Sequence, residues 1–176
     1  DGLEKSHDRL RGRSGSFKRA EQALRLIASR PVRMPDVVTC VHPGNLSELQ
    51  ALLKVIQNTG IRRWRLFNIF PKGRAAVNND LILSDTETVK MLDWIRTMRP
   101  GLRAEGFYLD YCCEGYLPKS LDSQVRDEPY FCRAGIAIGS VLADGSISAC
   151  PNISRKLIQG NIRNDDFFKV WENKFK

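Results

Sequence analysis

Val37-Val38-Thr39-Cys40-Val41, running into His42-Pro43-Gly44-Asn45 and then the apolar stripe Leu46, Leu49, Leu53 and Ile56, is the stretch on which the fold turns. A short β-branched run without polar alternation predicts a strand buried on both faces, as in a parallel sheet. Asn45 with Glu48 three residues on is a capping pair for a helix that Gly60 stops. A strand feeding straight into a helix is half of a βαβ crossover, so its flanks should repeat the pattern. Downstream, Trp64-Arg65-Leu66-Phe67-Asn68-Ile69-Phe70 ends at Pro71 and predicts a second strand over 64–70. Ser84 and Glu87 form another capping pair ahead of Val89, Leu92, Trp94, Ile95 and Met98. Pro100-Gly101 reads as the stop of that helix and 103–109 as a third strand. Upstream, Ser16 reads as the cap of a first helix with the stripe Phe17, Ala20, Leu24 and Ile27, ending near Arg30. Spacings of about 30 residues between strands are those of βαβ units. The alternation predicts an α/β fold with parallel strands and outer helices, too few strands for a closed barrel, and an unpaired first edge prone to aggregation.

The chain has 176 residues, with 28 Lys and Arg against 20 Asp and Glu for a formal charge of +8. Apolar residues are 42% and charged residues 27%, which excludes disordered and collagen-like classes. No apolar run approaches the ~18 residues that span a bilayer, and the opening has no signal-peptide core. The chain therefore reads as cytoplasmic, without a membrane partner. It opens Asp1-Gly2-Leu3-Glu4 in what looks like the middle of a domain, so it reads as a fragment of a longer protein. After Asp110 the pattern changes, and the division expected is 1–110 and 111–176. Ile138–Leu142 and Ser146–Ala149 flank Ala143-Asp144-Gly145 and predict an antiparallel hairpin. Asp165 and Asp166 suit the N-terminus of a last helix whose buried face is read as Phe167, Phe168, Trp171 and Phe175.

Four of the five cysteines, Cys112, Cys113, Cys132 and Cys150, lie beyond residue 111. Without an export signal they favour thiolate chemistry over disulfides. The hairpin is expected to bring Cys132 and Cys150 to one end, with Cys112 or Cys113 as a third corner. Thiolates select iron–sulfur clusters, zinc or Cu(I), and Gly135 and Gly139 read as leaving room for a bulky inorganic core. Against this stand separate buried thiols and a zinc-stabilised structural domain. Cys40 reads as core packing, His7 as a surface loop residue and His42 as a turn residue. Asn68, polar within an apolar strand, needs a partner when buried. Arg9, Arg11, Arg13, Lys18 and Arg19, with Arg62, Arg63 and Arg65, suggest a nucleic-acid-binding module as a rival. They fall on helix exteriors and turns without interleaved aromatics, which argues for a solvated face.

Phe131-Cys132-Arg133-Ala134-Gly135, Val141 through Pro151, Gly160-Asn161-Ile162 and Phe168-Lys169-Val170-Trp171 resemble the SPASM or twitch extension of radical S-adenosylmethionine enzymes. Asp1-Gly2, His7 through Gly12 and Gly15-Ser16-Phe17 resemble the segment after the fourth strand of their partial (β/α)6, TIM-like barrel, and Phe70 through Ala75 the loop after the sixth. The resemblance implies the C-terminal half of that barrel followed by a cysteine-bearing hairpin and helix. It further implies a parent oxidoreductase or maturase with S-adenosylmethionine and a catalytic [4Fe–4S] cluster, which makes a 5′-deoxyadenosyl radical. An electron donor and a peptide or protein substrate are the partners implied. Cys132, Cys150 and Cys113 or Cys112 would hold an auxiliary [4Fe–4S] cluster. At the strand ends facing the mouth, Arg11 would pair with the cofactor carboxylate, with Asp1 and Arg74 on similar rims, and Asn68 would face the barrel lumen, toward cofactor or substrate. The chain departs from the family at the CxxxCxxC loop, which is absent, and later cysteines of a full SPASM domain are absent too. It contains no catalytic residue by this reading, and is expected not to cleave S-adenosylmethionine by itself.

Overall fold

The computed structural model describes residues 1–112 and 115–175, with Arg74 described by its backbone. It forms two compact units, Asp1–Tyr130 and Phe131–Lys176. In the first, helices α1 (Glu4–Arg11) and α2 (Ser16–Ala28) precede β1 (Val37–Val41), α3 (Leu49–Asn58), β2 (Arg63–Asn68), α4 (Asp85–Ala104), β3 (Tyr108–Tyr111) and α5 (Lys119–Val125). The three strands form a parallel sheet in the order β1-β2-β3. Val37 lies opposite Trp64, Val41 opposite Asn68, and Leu66 opposite Tyr111.

One face of this sheet makes the core. Thr39, Val41, Trp64, Leu66, Leu109 and Tyr111 are buried there with Leu52, Leu53 and Ile56 of α3 and Met91, Leu92 and Ile95 of α4. The Trp64 indole N–H donates to Thr39 Oγ1 at 2.9 Å, so the largest buried side chain has its polar atom satisfied. The other face carries Val38, Cys40, Arg65 and Phe67, none of them buried. Strand β1 is thus covered on one face among the described residues, where its apolar run predicts two.

Several local signals act differently from their sequence reading. Asn45 and Glu48 do not cap α3; the chain enters that helix through a 3-10 turn, Leu46–Glu48. Asn45 instead accepts from the His42 N–H and donates to the Cys40 carbonyl, and Glu48 reaches α1. Ser16 is the first residue of α2, and Asp8 does the capping. The Ser84–Glu87 capping box forms as expected. Helix α4 runs through Pro100-Gly101 to Ala104, so Arg103 is helical and β3 begins later than expected, at Tyr108. Leu102 is buried beyond the proline, and that packing outweighs the single backbone hydrogen bond proline removes. Residues 115–130 belong to the first unit, where α5 brings Val125 into the core.

In the second unit, β4 (Ser140–Val141), β5 (Ser146–Ser148) and β6 (Gly160–Asn161) form an antiparallel sheet, followed by α6 (Phe167–Lys174). The hairpin turns through Ala143-Asp144-Gly145, with Gly145 N–H on the Leu142 carbonyl at 2.9 Å and Gly145 at φ +85°. Asp166 caps α6 through the Lys169 N–H. Its buried residue is Val170; Phe168 is 72% exposed, against the expectation for that helix face. No helix among the described residues is long and apolar enough to cross a membrane.

Candidate functional site

Helix α1 is fastened to the C-terminal end of the parallel sheet by Glu48, whose carboxylate accepts from the Leu3 N–H at 2.7 Å and Ser6 Oγ at 2.5 Å. Gly2, at φ +108°, passes so close that a Cβ there would lie 2.8 Å from Glu48 Oε2. Asp8 then holds the turn into α2, accepting from the Gly15 and Phe17 N–H groups and Ser16 Oγ. The Phe17 N–H is the main reason its carboxyl sits below the usual range. Sequence reading missed both carboxylates as tertiary caps, because a cap contributed from a distant segment leaves no local spacing.

These contacts bring Asp1 and Arg11 together. Asp1 Oδ1 accepts from the Cys40 N–H at 3.0 Å on the open edge of β1, and its other oxygen pairs with the Arg11 guanidinium. The Asp1 side chain is 2% exposed and that of Arg11 57%. Both line a cavity of about 310 Å³ with Phe17, Leu24 and Val38. Asn68 is not among these residues. Its amide donates to Thr88 Oγ1 of α4 at 3.4 Å, so it is held on the helix side of the sheet, corrected from the lumen-facing expectation. The alternation along β2 places Asn68 with buried Trp64 and Leu66, and α4 offers the partner there. Arg74 lies in the 3-10 segment Gly73–Val77 after β2.

Cys40 is half-buried on the face away from the core, corrected from core packing, and burial pushes its thiol pKa up. On that face Arg65 pairs with Asp36 and donates to Cys112 Sγ at 3.3 Å. Burial works against the Arg65 charge, but the contacts with Asp36 and Cys112 prevail and raise its pKa. Arg63 and Arg65 are therefore committed to Asp110 and Asp36 within the fold, which weakens the nucleic-acid reading of that cluster. His7 is a helical residue 9% exposed, edge-on to Phe17, corrected from a surface loop. His42 is a turn residue, as read, but buried.

The remaining cysteines divide between the units, Cys112 in the first and Cys132 and Cys150 in the second, while Cys113 lies outside the described residues. Cys112, Cys132 and Cys150 are free thiols, and no group of three or more metal-ligating side chains is assembled among the described residues. The donor set nonetheless suits thiolates: the Asn152 N–H lies on Cys150 Sγ at 3.4 Å, as Arg65 does on Cys112. The two glycines read as room for an inorganic core have organic neighbours. A Cβ on Gly139 would lie 2.7 Å from the Trp171 ring, and one on Gly135 would meet Ala149 and Phe175.

No family model matches the chain. Among curated proteins it is 22% identical over 180 residues to the AdoMet-dependent heme synthase of Nitratidesulfovibrio vulgaris, covering 94% of this chain and 47% of that protein. The protein of the same name from Methanosarcina barkeri is 23% identical, covering 96% and 50%. The chain spans about half the length of these relatives. Among solved structures, Streptococcus suis SuiB bound to S-adenosylmethionine superposes with a TM-score of 0.55 at 13% identity, over 88% of this chain and 36% of SuiB. SuiB bound to the precursor peptide SuiA gives 0.54 at 12% identity, over 88% and 36%.

Proposed function

We propose that this chain, a relative of the radical S-adenosylmethionine enzymes, supplies the later part of the barrel and an auxiliary iron–sulfur domain to such an enzyme. The observation that carries this reading is the pair of curated alignments running through 94% and 96% of the chain. The α/β fold shared with SuiB supports it. In the parent enzyme, S-adenosylmethionine and the catalytic [4Fe–4S] cluster would supply radical chemistry for hydrogen abstraction from the substrate, the cluster being held by residues that this chain does not contain. The chain's own residues bind and position. Arg11, with an exposed guanidinium anchored at the strand ends by Asp1, would turn to a cofactor carboxylate and hold it in bidentate fashion. Asp1 would keep the edge of β1 in place through the Cys40 N–H. Arg74, on the loop after β2, would serve the same rim. Cys132, Cys150 and Cys112 or Cys113 would hold the auxiliary cluster, the Asn152 N–H and Arg65 stabilising two of the thiolates. The boundary of that domain is proposed at residue 111, with its first stretch packed on the barrel segment.

The substrate proposed is a peptide or protein, in keeping with the precursor peptide bound to SuiB, and an external electron donor completes the reaction. The name of the curated relatives favours a second reading, a tetrapyrrole substrate. Anaerobic reconstitution of the chain with iron and sulfide tests the auxiliary site. Brown protein with charge-transfer absorbance, lost in Cys132→Ser and in Cys150→Ser, is expected; colourless protein that takes up zinc alone overturns it. With dithionite and S-adenosylmethionine the reconstituted chain should yield no 5′-deoxyadenosine. Multiple turnovers would overturn the assignment of its cysteines.

A further inference from the structure

We propose that the cleft between the loops leaving β1 and β2 binds an acidic side chain of the substrate through His42 and Arg9. The inference rests on the peptide reading above. The cleft has a volume of about 620 Å³ and is lined by Arg9 of α1, by His42 and Gly44 after β1, and by Asn78, Asn79 and Asp80 after β2. It lies at the C-terminal ends of parallel strands, where open sheets and barrels collect ligands.

The decisive atom is His42 Nε2. The ring is 8% exposed, and its Nδ1 accepts the Gly44 N–H at 3.2 Å. A neutral imidazole that accepts at Nδ1 carries its proton on Nε2. That Nε2 is buried and has no hydrogen-bond partner among the described residues. Buried donors are almost always satisfied, and an orphan marks a place where a ligand or an ordered water supplies the acceptor. Arg9 points to an anionic acceptor, since its exposed guanidinium lines the same cleft, whereas the nearby Glu48 carboxylate, engaged with the Leu3 N–H and Ser6 Oγ, works against an anion at the ring. A neutral N–H and a guanidinium lining one cleft form a donor set for a carboxylate, and the Asn78 and Asn79 amides line the same cleft. Gly44 leaves the ring its position, since a Cβ there would lie 3.0 Å from His42 Cε1. Asp80, exposed on the same rim, opposes the anion and limits its affinity.

The test is calorimetric titration of the chain with glutarate and its neutral analogue glutaramide. Then come N-acetyl-Gly-Glu-Gly-amide and its Gln counterpart. Binding of glutarate and of the Glu peptide, each at least about tenfold tighter than its neutral partner, is expected, a ratio typical of losing a charge-assisted hydrogen bond. Arg9→Gln and His42→Phe should each weaken both acids about fivefold or more, His42→Gln should restore part of the loss, and Asp80→Asn should tighten binding. Should the His42 variants not fold, Arg9→Gln and Asp80→Asn, on exposed residues, still decide. Equal binding of acid and amide, glutarate binding without peptide binding, or weaker binding by Asp80→Asn overturns the proposal. Displacement of glutarate by S-adenosylhomocysteine also overturns it, by making the cleft the cofactor's own. None of these readouts depends on a cluster, so they fail independently of the radical chemistry.

Discussion

Glu48 joins segments 42 and 45 residues away in sequence, through Ser6 Oγ and the Leu3 N–H. Removing a half-buried carboxylate that satisfies two donors should cost about 2 kcal/mol, the scale of charge-assisted hydrogen bonds. We expect Glu48→Ala to lower the urea midpoint accordingly and Glu48→Gln, which keeps an acceptor, to lose less; an unchanged midpoint would remove Glu48 as the anchor of α1. Asp144 acts similarly within the hairpin. Its carboxylate accepts the Ser146 N–H at 3.0 Å and pairs with Arg155 at 2.7 Å. Those contacts, the Ser146 N–H first, lower its pKa from 3.8 to about 2. A depressed folded-state value means the contribution is complete above the unfolded value and lost as pH falls through the folded one. The hairpin amide resonances should therefore hold down to about pH 4 and shift toward pH 2, and Asp144→Asn should abolish that titration. A midpoint at the ordinary value of a free aspartate would show that the contacts do not form. The Asp-Gly pair was legible as a turn from its residues alone, whereas the partner of Asp144, eleven residues on, was not.

Helix α4 and strand β3 meet through charge. Arg99, 11% exposed, donates to the Leu109 carbonyl at 2.6 Å, pairs with the Asp110 carboxylate and bonds Asp127 at 2.6 Å, where Arg103 joins at 2.5 Å. This network lies on either side of Pro100 and holds the last turn of α4 that the proline would otherwise end. Asp110→Ala removes the buried carboxylate but leaves Arg99 its bonds to Asp127 and the Leu109 carbonyl, so it should cost about 2 kcal/mol, and replacing both partners with apolar residues should cost less than the sum of the single changes. A denaturation cycle of Asp110→Leu, Arg99→Met and the double variant measures this; strict additivity would mean that the pair is not coupled. The capping box of α4 and the apolar stripes of α3 and α4 were legible because they are set within one or two helical turns. Pro100-Gly101 misled because its local cost is outweighed by Leu102, Arg99 and Arg103, whose partners lie elsewhere in the chain.

At the scale of the molecule, the parallel sheet ends at β1, whose outer edge is closed at Cys40 by Asp1 and otherwise meets no strand among the described residues. Val38 is 39% exposed on the open face of that strand. Exposed apolar edges template pairing with a second chain, and a lysine blocks it. The chain should therefore associate as its concentration rises, and Val38→Lys should suppress this in sedimentation velocity; a monomer at all concentrations would show the edge to be adequately guarded. The order from α2 to β3, the parallel arrangement and the turn at Asp144-Gly145 were determined by the sequence alone, since propensity, capping and hydrophobic period act over a few residues, whereas α1, α5 and β6 had no such local signal. So was the resemblance that the curated relatives and SuiB support, carried by short motifs spread along the chain. What the sequence did not determine was which polar groups meet. Glu48 leaves its local cap for α1, Asn68 turns to α4, Arg65 finds Cys112, and His42 buries an N–H, because each contact depends on the packing of segments far apart in the chain. Hydrogen bonds and ion pairs reach only a few ångströms, so their partners are chosen after the apolar face of the sheet has set the distances between elements.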